Sequence, residues 1–381
     1  MSIFNFLIKN NIDEPPWDYY FLQNLEEKEY PKYLAKIFNY RTGEKLPLKY
    51  DFQIKNWIID KNKCKTFNQK LQWLKLYGIT PLMRDCTDKV KVRNYVKEKI
   101  GEEYLKPVLQ IIPNESHETV CCHCEQVNDN SGLARQSGDI SHDIPDCRVA
   151  QITAAPRLRF PKFQFRENWV LAEYNDGEPN AVSTYFDQID FDRLPNSFVI
   201  KTNHGCKWHC IIKNKSKLLA NKKVSDTLRT KITGWLEQEF WMWEGFELNY
   251  KNLEHKILIE PYMPASRNIQ IYFFNAVPQI FVDIQLKDKL KICTYNYDFS
   301  FSDLILKKDD KEFMQKFNAD EILKQTLDLS KPLAEDFTFV RIDWIVFNNV
   351  INFEELTFTP YSGFMEIEKK WNRKLGSFLN L

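Results

Sequence analysis

Charged residues interrupt two apolar segments near the C-terminal end of the sequence. Arg341 and Asp343 lie in the first segment, and Glu354, Glu355 and Thr357 lie in the second. Charged groups in apolar strands are costly unless they are paired or bind a metal. Carboxylate oxygens on adjacent strands suit Mg²⁺, which keeps several waters and shares the phosphates of a nucleotide. Arg341 would then stabilise a transferring phosphoryl group or an acyl phosphate, and a buried Arg–Asp–Glu ion network is the alternative.

The connection between these two segments decides which glutamate faces Asp343. Asn348-Asn349 predicts a two-residue hairpin turn. A plain turn of this length places Asp343 on the same face as Glu354, because side chains alternate along a strand. If Glu355 is the metal ligand, the hairpin needs a three-residue connection or a β-bulge.

Two lysines flank a glycine-containing loop in the middle of the chain. A short apolar strand ends at Lys201, the loop contains His204 and Gly205, and a second strand from Trp208 is followed by Lys213. Positive charge and backbone N–H donors at close approach suit a polyphosphate. The pattern predicts a hairpin whose tip closes over phosphate groups, and an ordinary hairpin with solvated lysines is the alternative.

Two further patterns fit a nucleotide. Lys89 and Arg93 lie near the predicted start of a helix, where a lysine opposes the helix dipole unless a phosphate is held there. Glu260 and Tyr262 end an apolar strand, where Glu260 is placed to accept hydrogen bonds from ribose hydroxyls or the adenine amine. Solvated charges in the first case, and a strand that merely ends in glutamate in the second, are the alternatives.

The composition changes abruptly between Lys106 and Lys162. No lysine lies between these two, polar and small residues dominate, and four of the nine cysteines fall there. Such a stretch is hard to fit inside a compact domain, so it predicts an insertion over residues 112–182. A single CxxC without a second pair favours incidental thiols over zinc. The candidate metal ligands in the insertion are His117, Cys121, Cys124, His142 and Cys147.

The remaining sequence predicts the helices and strands that position these residues. Thr66 begins a capping box, Gly78 ends the helix after it, and the next helix runs from Thr87 to Gly101. Ser225 is expected to cap a longer amphipathic helix. Strands are predicted at 198–200, 208–212, 256–262, 269–275, 279–285, 337–347 and 350–358.

Length, charge and hydropathy exclude several classes of protein. At 381 residues the chain exceeds one typical core, which predicts two or three domains. The formal net charge of +1 gives no global field for nucleic acid or an anionic membrane. No apolar run approaches a signal sequence or a membrane span, so we expect a cytoplasmic protein with mostly reduced thiols.

Several segments together resemble the TupA-like ATP-grasp family, found in teichuronopeptide and capsular polysaccharide biosynthesis. The resemblance covers roughly residues 37–111 and 183–380, in the family's order. The segments that carry it are 66–77 (TFNQKLQWLKLY), 88–96 (DKVKVRNYV), 99–105 (KIGEEYL), 189–196 (IDFDRLPN), 198–205 (FVIKTNHG), 339–343 (FVRID) and 355–363 (ELTFTPYSG).

The resemblance implies an α+β protein with the ATP-grasp fold, in which two subdomains hold ATP between them. It also suggests an order of regions along the chain: a helical or irregular N-terminal region, a helical lead into the core, a poorly ordered insertion, a subdomain with the phosphate loop, and a C-terminal subdomain with the metal site. The expected boundaries are 1–62, 63–111, 112–182, 183–262 and 263–381.

Roles for the nucleotide-binding residues follow from the same resemblance. Lys89 and Lys201 would contact phosphates, with Lys201 bridging the α and β groups. The loop 204–208 would cover the β and γ phosphates. Glu260 and Tyr262 would line the adenine and ribose.

The resemblance places the chemistry on the C-terminal strands. Arg341 would face the acyl phosphate beside the bound Mg²⁺. The metal ligands would be Asp343, Glu355 and Thr357. The loop on the acceptor side would include Thr359, Ser362 and Gly363.

Enzymes of this kind phosphorylate a carboxylate with ATP and let an amine attack the acyl phosphate. The resemblance therefore implies ATP and Mg²⁺ as cofactors of a carboxylate–amine ligase that modifies a uronic acid of a surface polysaccharide. Its partners would be an amino acid or amine and a uronic-acid saccharide, without nucleic acid and with peripheral association with membrane-bound polysaccharide machinery. A glycosyltransferase that uses a nucleotide sugar, and a nucleotide binder without turnover, remain alternatives.

Three features depart from the family's usual sequence. Asn268-Ile269-Gln270 stands where the family has Asp-Tyr-Lys, which removes a lysine expected near the phosphates. Tyr361-Ser362-Gly363 stands where the family has Gly-Ser-Gly, which bears on the acceptor pocket. The insertion replaces a connection of a few residues between Leu109 and Phe186.

Overall fold

The computed structural model describes residues 25–113, 185–243, 245–286 and 289–381. The predicted insertion and its candidate metal ligands therefore lie almost entirely outside the described residues. Its first two positions, Ile112 and Pro113, instead end a strand. Within the described ranges, no helix combines the length and hydropathy needed to cross a membrane.

The helix after Thr66 begins and ends where a short polar side chain and a glycine predict. Thr66 and Gln69 form the predicted capping box, in which each side chain bonds the backbone N–H of the other residue, and Gly78 follows the last helical residue. The α-helices of the described ranges are α1 (Tyr30–Thr42), α2 (Phe67–Tyr77), α3 (Pro81–Thr87), α4 (Val92–Ile100), α5 (Lys215–Ala220), α6 (Lys222–Leu236), α7 (Phe240–Trp243), α8 (Glu321–Ala334) and α9 (Lys369–Phe378).

Two predicted helix starts are wrong. Thr87 ends α3 and does not begin the next helix. The Asp88 side chain accepts hydrogen bonds from the N–H groups of Val90 and Lys91, and this turn delays the start of α4. Ser225 lies inside α6, because Asn221 caps that helix by accepting from the N–H of Val224.

The strands form three antiparallel sheets. A small hairpin contains β1 and β2, a four-stranded sheet has the order β3-β6-β4-β5, and a five-stranded sheet has the order β11-β10-β7-β8-β9. The strands are β1 (Leu48–Asp51), β2 (Asn56–Ile59), β3 (Gln110–Pro113), β4 (Phe198–Thr202), β5 (His209–Ile212), β6 (Lys256–Pro261), β7 (Arg267–Phe274), β8 (Val277–Gln285), β9 (Lys291–Asn296), β10 (Phe339–Phe347) and β11 (Val350–Thr357).

The five-stranded sheet buries one face completely against helices. Ile271 and Ile342 are among the fully buried residues of this face, which packs against α8. Trp344 is also fully buried there, and its indole N–H donates to the Ser330 hydroxyl of α8 at 2.8 Å. Gln270, Arg341 and Asp343 alternate with these apolar residues along β7 and β10 and therefore lie on the opposite face.

A buried ion network lies at the start of β7. The Arg267 guanidinium donates to both carboxylate oxygens of Asp283 on β8, at 2.6 and 2.5 Å, and to Asp320 at 2.7 Å. Asp320 is also the N-cap of α8. The network therefore joins two strands to the start of a helix, in the bidentate geometry that Arg favours.

Helix α2 joins the N-terminal part of the chain to the C-terminal part. Phe67 and Leu71 belong to the same apolar cluster as Tyr272 and Trp371. The α2 backbone approaches α9 closely, since a Cβ on Gly376 would lie 2.5 Å from the Lys65 carbonyl oxygen. Residues far apart in sequence thus share one core.

Candidate active site

Six polar side chains form a regular array on the face of the five-stranded sheet opposite α8. Cross-strand pairing aligns Gln270, Asp343 and Glu355 in one row, on β7, β10 and β11. The next row contains Tyr272, Arg341 and Thr357 on the same strands. Directly paired side chains of antiparallel strands are close neighbours on one face. The sheet thus brings together the predicted metal ligands and the predicted catalytic arginine.

A β-bulge selects Glu355 as the partner of Asp343. Asn348 and Asn349 both have positive φ and form the predicted two-residue turn, so a plain hairpin would pair Asp343 with Glu354. The register shifts between Asp343 and Trp344, which leaves Glu354 as the extra residue of the bulge. The requirement derived from the sequence for a Glu355 ligand is met.

The Arg341 guanidinium occupies the centre of the array. It donates to both oxygens of Asp343 at 2.6 Å, to Glu355 at 3.1 Å and to the Thr357 hydroxyl at 3.1 Å. Gln270 reaches Asp343 only through a long contact of 3.4 Å. The ion network that the sequence offered as an alternative is present, and it is built from the same oxygens that would bind a metal.

Two buried lysines lie beside Glu354, Lys201 on β4 and Lys106 shortly before β3. The Lys201 ammonium lies 2.7 Å from Glu260 on the neighbouring strand and 3.8 Å from Glu354. Lys106 lies 3.3 Å from Glu260 and contacts Glu354 directly. Burial lowers the pKa of Lys106, but Glu354 and Glu260 outweigh it and raise that pKa above its usual value. Lys106 is therefore held cationic beside these two carboxylates.

A third lysine is held by the glycine loop. Lys89 donates to the Gly205 carbonyl at 2.5 Å, and burial lowers its pKa. A Cβ on Gly205 would lie 2.4 Å from the Trp208 ring, so this position has no room for a side chain. Lys89 lies close enough to Lys201 for the two ammonium groups to repel each other, so the loop brings both lysines into one region.

His204 supports the loop from within the core. Its ring stacks on His255 with centroids 3.6 Å apart, and its Nε2 lies 3.1 Å from the Trp235 carbonyl oxygen. Burial, reinforced by the adjacent His255, lowers the pKa of His204 to about 2. The ring is neutral at physiological pH, so it offers a phosphate no positive charge.

The other predicted nucleotide residues lie at different places. Arg93 donates to the Lys106 carbonyl at 2.8 Å and so positions that lysine. Tyr262 follows the last residue of β6 and is half-buried. Lys213 is exposed after β5, whose register places it beside the start of β4 and so about 10 Å or more along the strand from Lys201.

The predicted acceptor loop is held in place by residues that the sequence did not single out. The Thr359 hydroxyl donates to Glu247 at 2.5 Å. The Lys75 ammonium donates to the carbonyl and hydroxyl oxygens of Ser362 at 2.9 and 3.0 Å, and Gln72 donates to the Gly363 carbonyl at 2.7 Å. Gln72 and Lys75 lie on α2, within the segment 66–77 that resembles the family, and that was the only signal for them.

Comparison with known proteins identifies the family. The description "TupA-like ATP-grasp" matches residues 179–380, more than half of the chain. The chain belongs to the TupA-like ATP-grasp family. A comparison with curated proteins finds no match. TupA-like ATP-grasp membership agrees with the α+β architecture of the described residues and supports an ATP-dependent ligase in general terms, whereas nothing in these matches supports a glycosyltransferase.

Similar solved structures are ATP-grasp ligases and synthetases of low identity. The chain is 12% identical to D-alanine–D-alanine ligase from Helicobacter pylori (TM-score 0.33, covering 87% of this chain and 77% of that one). It is 10% identical to N5-carboxyaminoimidazole ribonucleotide synthetase in an ADP complex (TM-score 0.34, 90% and 57%). It is 16% identical to the ATP complex of the Bacillus anthracis D-alanine–D-alanine ligase (TM-score 0.24, 44% of this chain) and spans 43% of that protein's length. The family match alone carries the assignment.

The residues present fit ATP and Mg²⁺, the cofactors that the TupA-like ATP-grasp family implies. In the described ranges, no group of three or more His, Cys, Asp or Glu side chains stands together as a complete metal site. Mg²⁺ typically takes one or two carboxylates and completes its shell with waters and phosphate oxygens. Asp343 and Glu355 supply such a pair, and Lys89, Lys106 and Lys201 supply charge for the phosphates.

Acid titration should reveal the coupling between Glu354 and its lysines. Burial alone would raise the pKa of Glu354, but Lys201 and Lys106 lower it to about 2. A carboxylate with a depressed folded-state pKa stabilises the fold above its unfolded pKa, about 4.3, and loses this contribution as pH falls to about 2. Glu354→Gln should therefore reduce the free energy of unfolding by about 1–2 kcal/mol at neutral pH, after allowance for solvent screening, with the difference shrinking below about pH 4.

Urea unfolding at a series of pH values would measure this difference. Glu366, an exposed glutamate, provides the matched control, since Glu366→Gln should leave the pH dependence unchanged. A Glu354→Gln difference that stays constant between pH 7 and pH 3 would contradict the coupling.

Proposed function

We propose that this protein is an ATP- and Mg²⁺-dependent carboxylate–amine ligase that modifies a uronic acid of a cell-surface polysaccharide. The observation that carries the proposal is the array in which Asp343, Glu355 and Thr357 surround Arg341, opposite the buried Lys201. Family membership supports the ATP-dependent part. The uronic acid, the amine or amino acid and the association with polysaccharide machinery rest on the sequence resemblance.

The lysines bind and orient the nucleotide in this proposal. Lys201 and Lys106 now share Glu260, which is buried and already ionically paired. A phosphate entering between the sheets would compete with Glu260 for these ammonium groups, which are already desolvated. Lysine side chains that the fold positions before binding reduce the reorganisation that charge neutralisation would otherwise need.

Arg341 links metal binding to phosphoryl transfer. ATP with Mg²⁺ supplies an activated phosphoryl group when bound. The Arg341 guanidinium presently neutralises the carboxylates of Asp343 and Glu355. A metal on these oxygens would replace that neutralisation and leave Arg341 available to donate to a phosphoryl or acyl-phosphate oxygen.

The proposed reaction needs no covalent protein nucleophile. Cys206 lies in the glycine loop and its side chain is exposed, but desolvation by the surrounding atoms, followed by the charge of Glu355, raises the pKa of its thiol to about 11. Burial also raises the pKa of Cys210. Both groups are protonated at neutral pH, which agrees with a mechanism based on positioning and electrostatic stabilisation.

Thermal unfolding with ligands tests the nucleotide site directly. Mg²⁺ with a non-hydrolysable ATP analogue should stabilise the wild type, by about 2.7 kcal/mol at a hundredfold excess over Kd. Lys201→Ala should lose most of this shift, because the ammonium between the two sheets is removed. Lys213→Ala is the matched control and should keep the shift, since Lys213 is exposed beside the opposite end of β4.

The same measurement separates the proposed ligase from its rivals. UDP-glucuronic acid and UDP-glucose should give no shift, and a shift with these alone would favour a glycosyltransferase. No shift with any nucleotide would refute the ATP-dependent function. A positive result would be followed by a screen for ADP release with uronic acids and amines.

A further inference from the structure

The buried hydroxyl of Tyr272 has no hydrogen-bond acceptor for its O–H among the described residues, and Arg341 approaches its oxygen only as a donor. Its side chain is only 1% exposed and lies on β7. Buried hydroxyls in proteins are almost always paired, because desolvation without a partner is costly. The missing partner of Tyr272 is therefore expected to come from a molecule that binds to the protein.

The position of Tyr272 directs its hydroxyl towards the candidate active site. Tyr272 pairs directly across the strands with Arg341, which in turn pairs with Thr357. The base of its ring packs in an apolar cluster with Phe274 and Phe339. The polar groups closest to it electrostatically, besides Arg341, are Tyr361 and Asp343. The phenol thus lies between the metal-binding array and the acceptor loop.

The groups around the hydroxyl cannot satisfy its hydrogen. Arg341 has donors only, so it can approach the phenol oxygen but cannot accept the O–H. Neither oxygen of Asp343 lies within hydrogen-bonding distance of the phenol, and both accept from Arg341 at 2.6 Å. An anionic oxygen held beside Arg341 would accept both from the guanidinium and from the phenol.

The acceptor loop next to this hydroxyl has an energetically unfavourable backbone conformation. Tyr361 and Ser362 adopt left-handed φ values of 52° and 53°, which non-glycine residues seldom take. Buried hydrogen bonds from Lys75 and Gln72 to residues 362 and 363 maintain this conformation. Strain that the surroundings enforce is typical of ligand-binding loops.

We propose that the Tyr272 hydroxyl donates a hydrogen bond to an anionic oxygen of the reacting group, which it orients beside Arg341. This inference rests on the proposed function for the identity of that group. The oxygen belongs either to the carboxylate of the acceptor or to the phosphoryl group transferred to it. Tyr272 is thereby a residue that touches substrate and was not indicated by the sequence.

Tyr272→Phe tests the proposal, because it removes the hydroxyl and keeps the ring. The ligand-free variant should melt at or above the wild-type temperature, since it loses an unsatisfied buried group. The shift caused by Mg²⁺–ADP should be unchanged. In the presence of Mg²⁺–ADP, the affinity for sodium glucuronate or for inorganic phosphate should fall about tenfold or more. A loss with glucuronate identifies the carboxylate, and a loss with phosphate identifies the phosphoryl group.

Tyr295→Phe is the matched control on the same sheet. Tyr295 is fully buried on β9, and its hydroxyl donates to the Phe317 carbonyl at 2.7 Å. Removing this hydroxyl should lower the melting temperature, because the Phe317 carbonyl loses its strongest hydrogen bond. The affinities for glucuronate and for phosphate should stay as in the wild type.

Three results would overturn the role of Tyr272. In the first, Tyr272→Phe is destabilised as much as Tyr295→Phe. In the second, the anion affinities of Tyr272→Phe stay within twofold of those of the wild type. In the third, neither anion raises the melting temperature of the wild type above its value with Mg²⁺–ADP. A wild type that does not respond to Mg²⁺–ADP would instead refute the proposed function. The melting temperatures of the ligand-free variants would still decide whether the hydroxyl has a partner inside the protein.

Discussion

Asp343→Asn should reduce Mg²⁺-dependent ADP formation about a thousandfold at a temperature where the variant is still folded. Asp343 supplies one of two carboxylates available to the metal and is the bidentate partner of Arg341. Removing its charge weakens the metal site and leaves Arg341 without its main anchor in the unliganded protein. Losses of this size are usual when a group that stabilises transition-state charge is removed. ADP release measured across a Mg²⁺ titration, with ATP, a uronic acid and an amine, would show the effect.

A second Arg–Asp pair on the same sheet provides the control. Asp283 is bound by Arg267 in the same bidentate geometry, and its side chain is fully buried. Asp283→Asn should lower the free energy of unfolding by about 3–5 kcal/mol, because it leaves a buried arginine partly unpaired. Below its melting temperature it should keep the Mg²⁺ dependence of the wild type. Equal effects of the two substitutions on Mg²⁺ dependence would argue that Asp343 has only a structural role.

Gly376→Ala should destabilise the protein by about 2–4 kcal/mol, although alanine favours helices. Gly376 lies in α9, where a Cβ would be 2.5 Å from the Lys65 carbonyl oxygen and 2.8 Å from the Phe67 nitrogen. These are backbone atoms at the start of α2, so they cannot move aside as a flexible side chain could. The two helices would have to separate, and the free energy of unfolding in urea would measure the cost.

Gly234→Ala is the corresponding control in α6. The nearest atom to its added Cβ is the Gln238 side-chain nitrogen at 3.8 Å, an ordinary contact. Here the gain in helix propensity should dominate and stabilise the protein by about 0.5–1 kcal/mol. If both substitutions stabilised the protein, the close approach of α9 to α2 would be wrong.

The sequence predicts the β10–β11 hairpin well, because its signals are local. The Asn-Asn turn, the apolar alternation and the charged interruptions all lie within 339–357, and the structure confirms the strands. The bulge at Glu354 was recognised only as a condition for a Glu355 ligand. At the bulge, Glu354 contacts Lys106 and lies 3.8 Å from Lys201, and no local sequence pattern indicates these distant partners.

Two other elements were not predicted, because their sequence signals are not local. No prediction was made for helix α8, whose buried stripe faces the five-stranded sheet. Strand β9 is short and was not predicted, although it forms an edge of that sheet. Both acquire their structure from tertiary packing, which outweighs weak local propensity.

The supporting residues of the site were the least predictable. Lys75 and Lys106 resemble many surface lysines in the sequence, yet Lys75 is fully buried and Lys106 nearly so. Their partners, Ser362 and Glu354, lie more than 240 positions away. Long-range pairings of this kind determine the site, and only the assembled fold reveals them.

The connection between α2 and the acceptor loop bears on how this protein can be divided or recombined. The segment 179–380 that identifies the family does not contain Gln72 or Lys75, which fix the loop 361–363. Nor does it contain Phe67 and Leu71, which complete the core beneath Tyr272. A chimera that transplants only the family segment would carry the proposed catalytic residues without the side chains that hold the loop 361–363. In the proposed ligase, transfer of acceptor preference to another protein would therefore require the N-terminal helices as well.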